Sequence, residues 1–190
     1  MTAFPKDFVW GAASSAYQIE GDPLADGGGP SVWDTFSHTP GKTFEGNTGD
    51  TACRSYRHPE RDVEHLKHLG LTAYRFSTSW ARIDPKGTGD WNPLGLAYYD
   101  RLVDLCLQGG ITPYMTLYHW ELPQALEDRG GWCNSDRPSP PAFSAGPGPP
   151  PDGGSCRRQC RRCRRWRWFR EYGRTGPRCS RRRAAGTPFM

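Results

Sequence analysis

Leucine, isoleucine, valine, lysine and histidine are all absent from the last 58 of the 190 residues. From Cys133 onward the chain holds nine Pro, seven Gly and 14 Arg instead. A segment without aliphatic side chains cannot bury enough apolar surface to offset the entropy of ordering. A packed core is therefore confined to the residues before this break, and disorder is expected after it. The break divides charge as sharply. Residues 1–132 carry 11 Lys+Arg against 17 Asp+Glu, a balance of −6, and residues 133–190 carry 14 Arg against 3 acids, a balance of +11. The overall pI near 8.9 describes neither part.

Codon structure gives the break a cause. Leu, Ile, Val, Phe and Met have T at the middle codon position, and Lys, Asp, Glu, Asn, Gln, His and Tyr have A. Only 10 of the last 58 residues belong to those groups, among them Asn134, Phe143, Gln159 and Tyr172, and the other 48 need a middle G or C. GC-rich genes concentrate G and C at third positions, which a shifted frame moves into the middle. The tail therefore reads as an out-of-frame translation starting between Trp132 and about Arg137. The rival is a genuine low-complexity Arg/Pro/Gly segment.

Before the break, hydrophobic periodicity alternates between two periods. Residues 8–14, FVWGAAS, read as a short buried strand, and the Gly/Asp/Thr/Pro-rich residues 22–50 as a long loop. Val63, Leu66 and Leu69 recur at helical spacing, with Pro59 suited to the first turn and Gly70 to the stop. TAYRFSTSW reads as a strand, and Leu96, Tyr99, Leu102, Val103 and Leu107 mark a second amphipathic helix closed by Gly109 and Gly110. ITPYMTLYHW is a third strand, and PQALEDRGG opens another short helix. Strands alternating with amphipathic helices predict βαβ units, a parallel sheet and the α/β class. Two distant cysteines in this part, Cys53 and Cys106, read as reduced structural thiols. The N-terminus lacks a basic region followed by an apolar run, and no apolar stretch approaches the roughly 18 residues of a membrane helix. A cytoplasmic protein with no membrane partner is expected.

Several stretches together resemble glycoside hydrolase family 1. FVWGAASSAYQIEG at 8–21 is similar to the family's N-terminal signature, and PSVWDTF at 30–36 to the next shared block. YRFSTSWARIDPKGTG at 74–89, NPLGLAYYDRLVDLC at 92–106 and TLYHWELPQALEDRGGW at 116–132 resemble the blocks that follow, in the same order and spacing. The resemblance implies a retaining β-glucosidase acting on terminal β-D-glucosyl residues, without a cofactor or metal. It also implies a TIM (β/α)8 barrel, of which this chain would hold the first three βα units. Residues 1–134 would be the N-terminal part of that barrel, and 135–190 the disordered, frameshifted tail. Such barrels place functional residues at the C-terminal ends of their strands. By resemblance, Gln18 and His119 hydrogen-bond hydroxyls of the glycone sugar, Trp120 lies beside that subsite, and Arg75 helps keep the nucleophile ionised.

The residue types suit a sugar. Gln and neutral His each offer a donor and an acceptor, and buried pairs aimed at particular hydroxyls discriminate epimers, because a wrong one leaves them unpaired. Arg75 and Trp120 admit a structural role as readily as a site role. Glu20 reads as structural, Trp10 and Trp33 as core, and Trp80 as packing. The pattern departs from the family at Thr78, where an aliphatic residue is usual, at Glu121, where Asp is usual, and in RSYRHPERDV.

Retaining glycosidases need two carboxyl groups about 5–5.5 Å apart. In the family these come from a Thr-x-Asn-Glu-Pro block and a Thr-Glu-Asn-Gly block, and neither occurs in the 190 residues. No catalytic carboxylate is assigned, and no turnover is expected from this polypeptide alone. An open sheet edge and an uncovered inner face predict poor solubility. Two other readings of the tail are weaker. Cys156, Cys160 and Cys163, with Cys179, have spacing that could suit an iron–sulfur cluster or zinc, but no scaffold fixes their geometry. Arg runs around Trp166, Trp168 and Phe169 could bind nucleic acid without sequence specificity.

Overall fold

The computed structural model describes residues 4–134. Three strands, β1 (Gly11–Ala13), β2 (Ala73–Ser77) and β3 (Thr112–Thr116), form one parallel sheet in the order β1-β2-β3. Gly11 aligns with Ala73 and Thr112, and Ala13 with Arg75 and Tyr114. Parallel neighbours require crossovers, and helices supply them. Helix α3 (Pro59–His68) lies between β1 and β2, and α5 (Pro93–Gln108) between β2 and β3. Both pack on each other, and α5 packs on β3.

Local chemistry explains these helices. Pro59 occupies the first turn of α3, Glu60 and Asp62 face its positive end, and His65, Lys67 and His68 lie at the negative end. The side chain of Asn92 caps α5 by accepting from the Leu94 N–H at 3.2 Å, and Pro93 follows it. Beyond α5, Gly110 takes φ +73°, a conformation that suits glycine. The buried faces are Val63 and Leu66 of α3, and Tyr98, Tyr99, Leu102 and Cys106 of α5. Tyr74, Phe76 and Pro113 are buried from the strands, whereas the register partners Arg75 and Tyr114 are exposed. Exposure alternates at the start of β3, where Thr112 and Tyr114 flank buried Pro113, whereas β2 exposes Arg75 alone, with Ala73 and Ser77 buried on the same face.

Several expectations need correction. Only Gly11–Ala13 of the 8–14 segment is strand, and it is not buried, because as an edge strand it has one neighbour. Trp10 is 49% exposed rather than core, and it forms a surface aromatic group with Phe4 and Phe8 at centroid distances of 4.6–4.7 Å. Trp33 is 40% exposed and lies over Tyr17, 6.1 Å between rings. Leu69 follows the last turn of α3 and points to solvent. The 22–50 loop contains α2 (Val32–His38), which starts with a capping box. The Ser31 side chain accepts from the Asp34 N–H, while Asp34 Oδ2 accepts from the Ser31 N–H at 2.7 Å. Two further one-turn helices follow strand ends: α4 (Trp80–Ile83) after β2 and α6 (Gln124–Glu127) after β3. Trp80 packs with Leu122 and Leu126, as a packing residue should. Among the described residues, no helix is long and apolar enough to cross a membrane. The expectations for residues 135–190, including disorder, an out-of-frame origin, metal ligation by Cys156, Cys160, Cys163 and Cys179, and nucleic-acid binding, lie outside the described residues.

Candidate functional site

Because the strands are parallel, the segments after β1, β2 and β3 emerge at one edge of the sheet. Each is fixed by short polar contacts. After β1, the Ser14 N–H donates to the Arg75 carbonyl at 2.9 Å, and the Ala16 N–H to Ser77 Oγ at 2.8 Å. This starts the one-turn helix α1 (Ala16–Ile19), which carries Gln18 with its side chain exposed. After β2, the Thr78 N–H donates to the Thr116 carbonyl at 3.0 Å, and Thr78 Oγ1 to the Leu117 carbonyl at 3.1 Å. A hydroxyl at Thr78, where an aliphatic residue is usual by resemblance, thus stitches the β2 end to the β3 end. Arg75 is the one exposed residue of β2, and its Nε–H donates to Thr116 Oγ1 at 2.9 Å.

After β3 come His119, half-buried, and Trp120, 66% exposed. Trp120 has φ +76°, which is uncommon for a bulky residue and costs on the order of 1–3 kcal/mol. The Leu122 N–H donates to the Trp120 carbonyl at 3.1 Å, closing the turn, and the next residue, Glu121, is buried. The Trp120 ring lies 6.3 Å from that of Tyr118. Gln18, Arg75, His119 and Trp120 thus lie on, or just after, three neighbouring strands. The side chains of Gln18 and His119 have no protein partner among the described residues, leaving their donors and acceptors open. A groove of about 600 Å³, lined by Asp22, Leu24, Pro30, Asp34, His38 and Arg57 among others, includes none of these four.

Beneath the strand ends lies a buried network that the sequence did not single out. Arg82 of α4 is 2% exposed and pairs with Glu20 Oε2 at 3.0 Å. It also donates to the carbonyls of Gly21 at 3.0 Å and Asp22 at 3.3 Å, and its guanidinium lies 3.7 Å from the centre of the Tyr56 ring. Glu20 Oε1 accepts from the Tyr99 hydroxyl at 2.6 Å, and that hydroxyl accepts from the Ser79 N–H at 2.6 Å. Glu20 is thus structural, as its motif position suggests, and burial pushes its carboxyl above the ordinary value despite the pull of Arg82. The only hint of Arg82 in the sequence was a charged residue inside the otherwise apolar Trp-Ala-Arg-Ile run. Glu121 is a further buried carboxyl, at 1% exposure. Its Oε1 accepts from the Tyr17 N–H, and burial pushes it up to about 8, with nearby Glu20 adding to the rise. Among the described residues, no group of three or more His, Cys, Asp or Glu is placed to hold a metal ion.

The arrangement places the exposed Gln18 amide and Trp120 indole and the half-buried His119 imidazole at one strand-end edge, with Arg75 exposed on β2. Residues 1–138 match the family described as glycosyl hydrolase family 1. Thermostable beta-glucosidase B of Thermobispora bispora is 58% identical over 134 residues, covering 70% of this chain and 28% of that protein. Beta-glucosidase A of Acetivibrio thermocellus is 56% identical over 133 residues, covering 70% of this chain and 30% of that protein. Among solved structures, the beta-glucosidase from Thermotoga maritima in complex with deoxynojirimycin matches with a TM-score of 0.67 and 56% identity, over 69% of this chain and 30% of that one. The chain thus spans about 30% of the length of these relatives, and the part described is the beginning of their (β/α)8 barrel. By its sequence over residues 1–138 and by its fold, this chain belongs to glycosyl hydrolase family 1.

Proposed function

We propose that residues 1–134 carry the glycone-recognising portion of a retaining β-glucosidase site, and that the 190-residue polypeptide alone does not hydrolyse glycosides. The carrying observation is that Gln18 and His119, with open hydrogen-bonding groups, and exposed Trp120 follow strand ends at one end of a parallel sheet. Terminal β-D-glucosyl residues are the substrate class, supported by the relatives named beta-glucosidases and by the deoxynojirimycin complex. In this reading Gln18 and His119 bond sugar hydroxyls, Trp120 covers the ring, and Arg75 supports a nucleophile that these residues do not include. Hydrolysis with retention needs a nucleophile and an acid/base carboxyl close together. Glu20 and Glu121 cannot serve, since both are buried and held by Arg82, Tyr99 and the Tyr17 N–H.

Residues 135–190 are, in the same reading, an out-of-frame segment. Support comes from the family match ending at residue 138, where the composition has just changed. Cytoplasmic residence completes the proposal. The rival, a non-catalytic fragment whose Arg/aromatic segment binds polynucleotide, rests on 14 Arg around Trp166, Trp168 and Phe169. Two measurements test the proposal. Pure chain incubated with an aryl β-glucoside is expected to release no aryl alcohol above the uncatalysed rate, and enzyme-dependent release would overturn the inactivity. Sequencing the coding DNA from the Glu121 codon onward is expected to reveal one base that restores a frame with the missing carboxylate blocks. A confirmed short frame would refute the out-of-frame origin.

A further inference from the structure

The site residues are spread over separate segments, so something must set the distance between Gln18 and His119. Strand pairing alone does not, because Gln18 lies five residues past Ala13 and His119 three past Thr116. The contact that spans the gap is the one between the Tyr17 N–H and Glu121 Oε1. It joins the residue immediately before Gln18 to the residue that follows His119 and Trp120. Both ends of this strut are anchored. The Tyr17 hydroxyl donates to Ser37 Oγ at 2.7 Å and accepts from the Gly49 N–H at 3.2 Å, holding its ring against α2. On the other side, the Val32 N–H donates to the Leu122 carbonyl at 2.9 Å, and the Gln124 N–H to the Pro30 carbonyl at 2.8 Å. The carboxyl is 1% exposed, and its Oε2 has no hydrogen-bond partner among the described residues.

A buried carboxyl with one oxygen unpaired costs stability, and a packed apolar side chain would not. Retaining it there calls for a role beyond packing. We propose that Glu121 is a positioning residue that couples the two halves of the glycone subsite, fixing Gln18 relative to His119 and Trp120 through the Tyr17 backbone. Where the family usually has Asp, the longer Glu carries the carboxyl one methylene further from its own backbone, toward the segment after β1. The coupling rests on the glycone reading for its purpose but not for its existence.

The test separates the two. In the full 190-residue chain, the amide resonances of Tyr17 and Leu122 are followed by NMR from pH 6 to 10, without ligand. The charged groups acting on the Glu121 carboxyl are Glu20, Asp34 and Arg82. Both amides are expected to share an inflection near 8 that vanishes in Glu121→Gln, whereas an inflection due to Glu20 would survive. A flat Tyr17 amide, or an inflection that persists in Glu121→Gln, overturns the coupling. Should Glu121→Gln not fold, Glu121→Asp decides. The Tyr17 response is expected to shrink several-fold while that of Leu122 remains, and an undiminished Tyr17 response refutes the strut. In a second arm, deoxynojirimycin is titrated into the wild-type chain. Its binding is expected to shift the Gln18 and His119 side-chain signals together, with a Kd raised about tenfold by Glu121→Asp, which withdraws the acceptor from Tyr17. If the first arm succeeds and no ligand shift occurs, the glycone reading fails while the positioning role stands.

Discussion

Replacing Glu121 by Gln should reshape how the stability of this chain depends on pH. The folded carboxyl lies at about 8, against an ordinary 4.5, with desolvation as the main cause. A raised value means that the folded state binds the proton more tightly than the unfolded chain does. The stabilisation is therefore complete below about 4.5 and is lost as pH rises through about 8. At about 1.4 kcal/mol per pH unit, that interval gives a ceiling of about 5 kcal/mol. This is comparable with the whole stability of a typical domain. Glutamine cannot ionise, yet its carbonyl can still accept from Tyr17. The assay is urea unfolding followed by tryptophan fluorescence, at pH 5 and pH 9, for wild type and Glu121→Gln. Titrations common to both proteins cancel in the difference. The wild type is expected to lose several kcal/mol more than the variant between the two pH values. Profiles that stay parallel within about 0.5 kcal/mol would show that the carboxyl is not desolvated as the structure places it.

Further outcomes follow from the same network. Arg82→Met strands the buried Glu20 carboxyl and should cost about 3–5 kcal/mol in urea unfolding, with Glu20→Gln in the same chain restoring part of the loss; additive effects would deny the coupling. Ser31→Ala removes the cap of α2 and should cost about 1 kcal/mol in the same assay, and no change would mean that the capping box is idle. The Cys106 thiol is fully buried and pushed up to about 11, so iodoacetamide at neutral pH should label exposed Cys53 and Cys133 and spare Cys106 until the chain unfolds, as peptide mass mapping would reveal.

The strand and helix alternation was readable because it depends on spacing that survives in any window of the chain. Val63 with Leu66, and Tyr99 with Leu102, mark buried faces for that reason. Elements shorter than two turns carry too little periodicity, so α1 and α4 escaped, whereas the PQALEDRGG run still marked α6, and Ser31 and Asp34 at capping-box spacing could have revealed α2. The exposure of Trp10 and Trp33 is not legible in the sequence, because a large aromatic ring says nothing about which elements lie opposite it. The positions of Gln18 and His119 came from motif likeness. The buried supports did not, since Arg82, Tyr99 and Glu121 gain their meaning only from partners 62 to 104 residues away. No local pattern links Glu121 to Tyr17.

The order β1-β2-β3 also bears on how the sheet assembles. Every pairing joins strands that are consecutive along the chain, so none has to wait for a later segment. The β2–β3 pairing brings Ala73 to Thr112 and aligns five residue pairs, whereas β1–β2 brings Gly11 to Ala73 and aligns three. The entropy of closing a loop grows only slowly with its length, so the two closures differ by well under 1 kcal/mol. The number of aligned pairs then decides the sequence of events. The βαβ unit of β2, α5 and β3 is the natural nucleus, and β1 docks onto it as the last of the three strands to join and the first to leave.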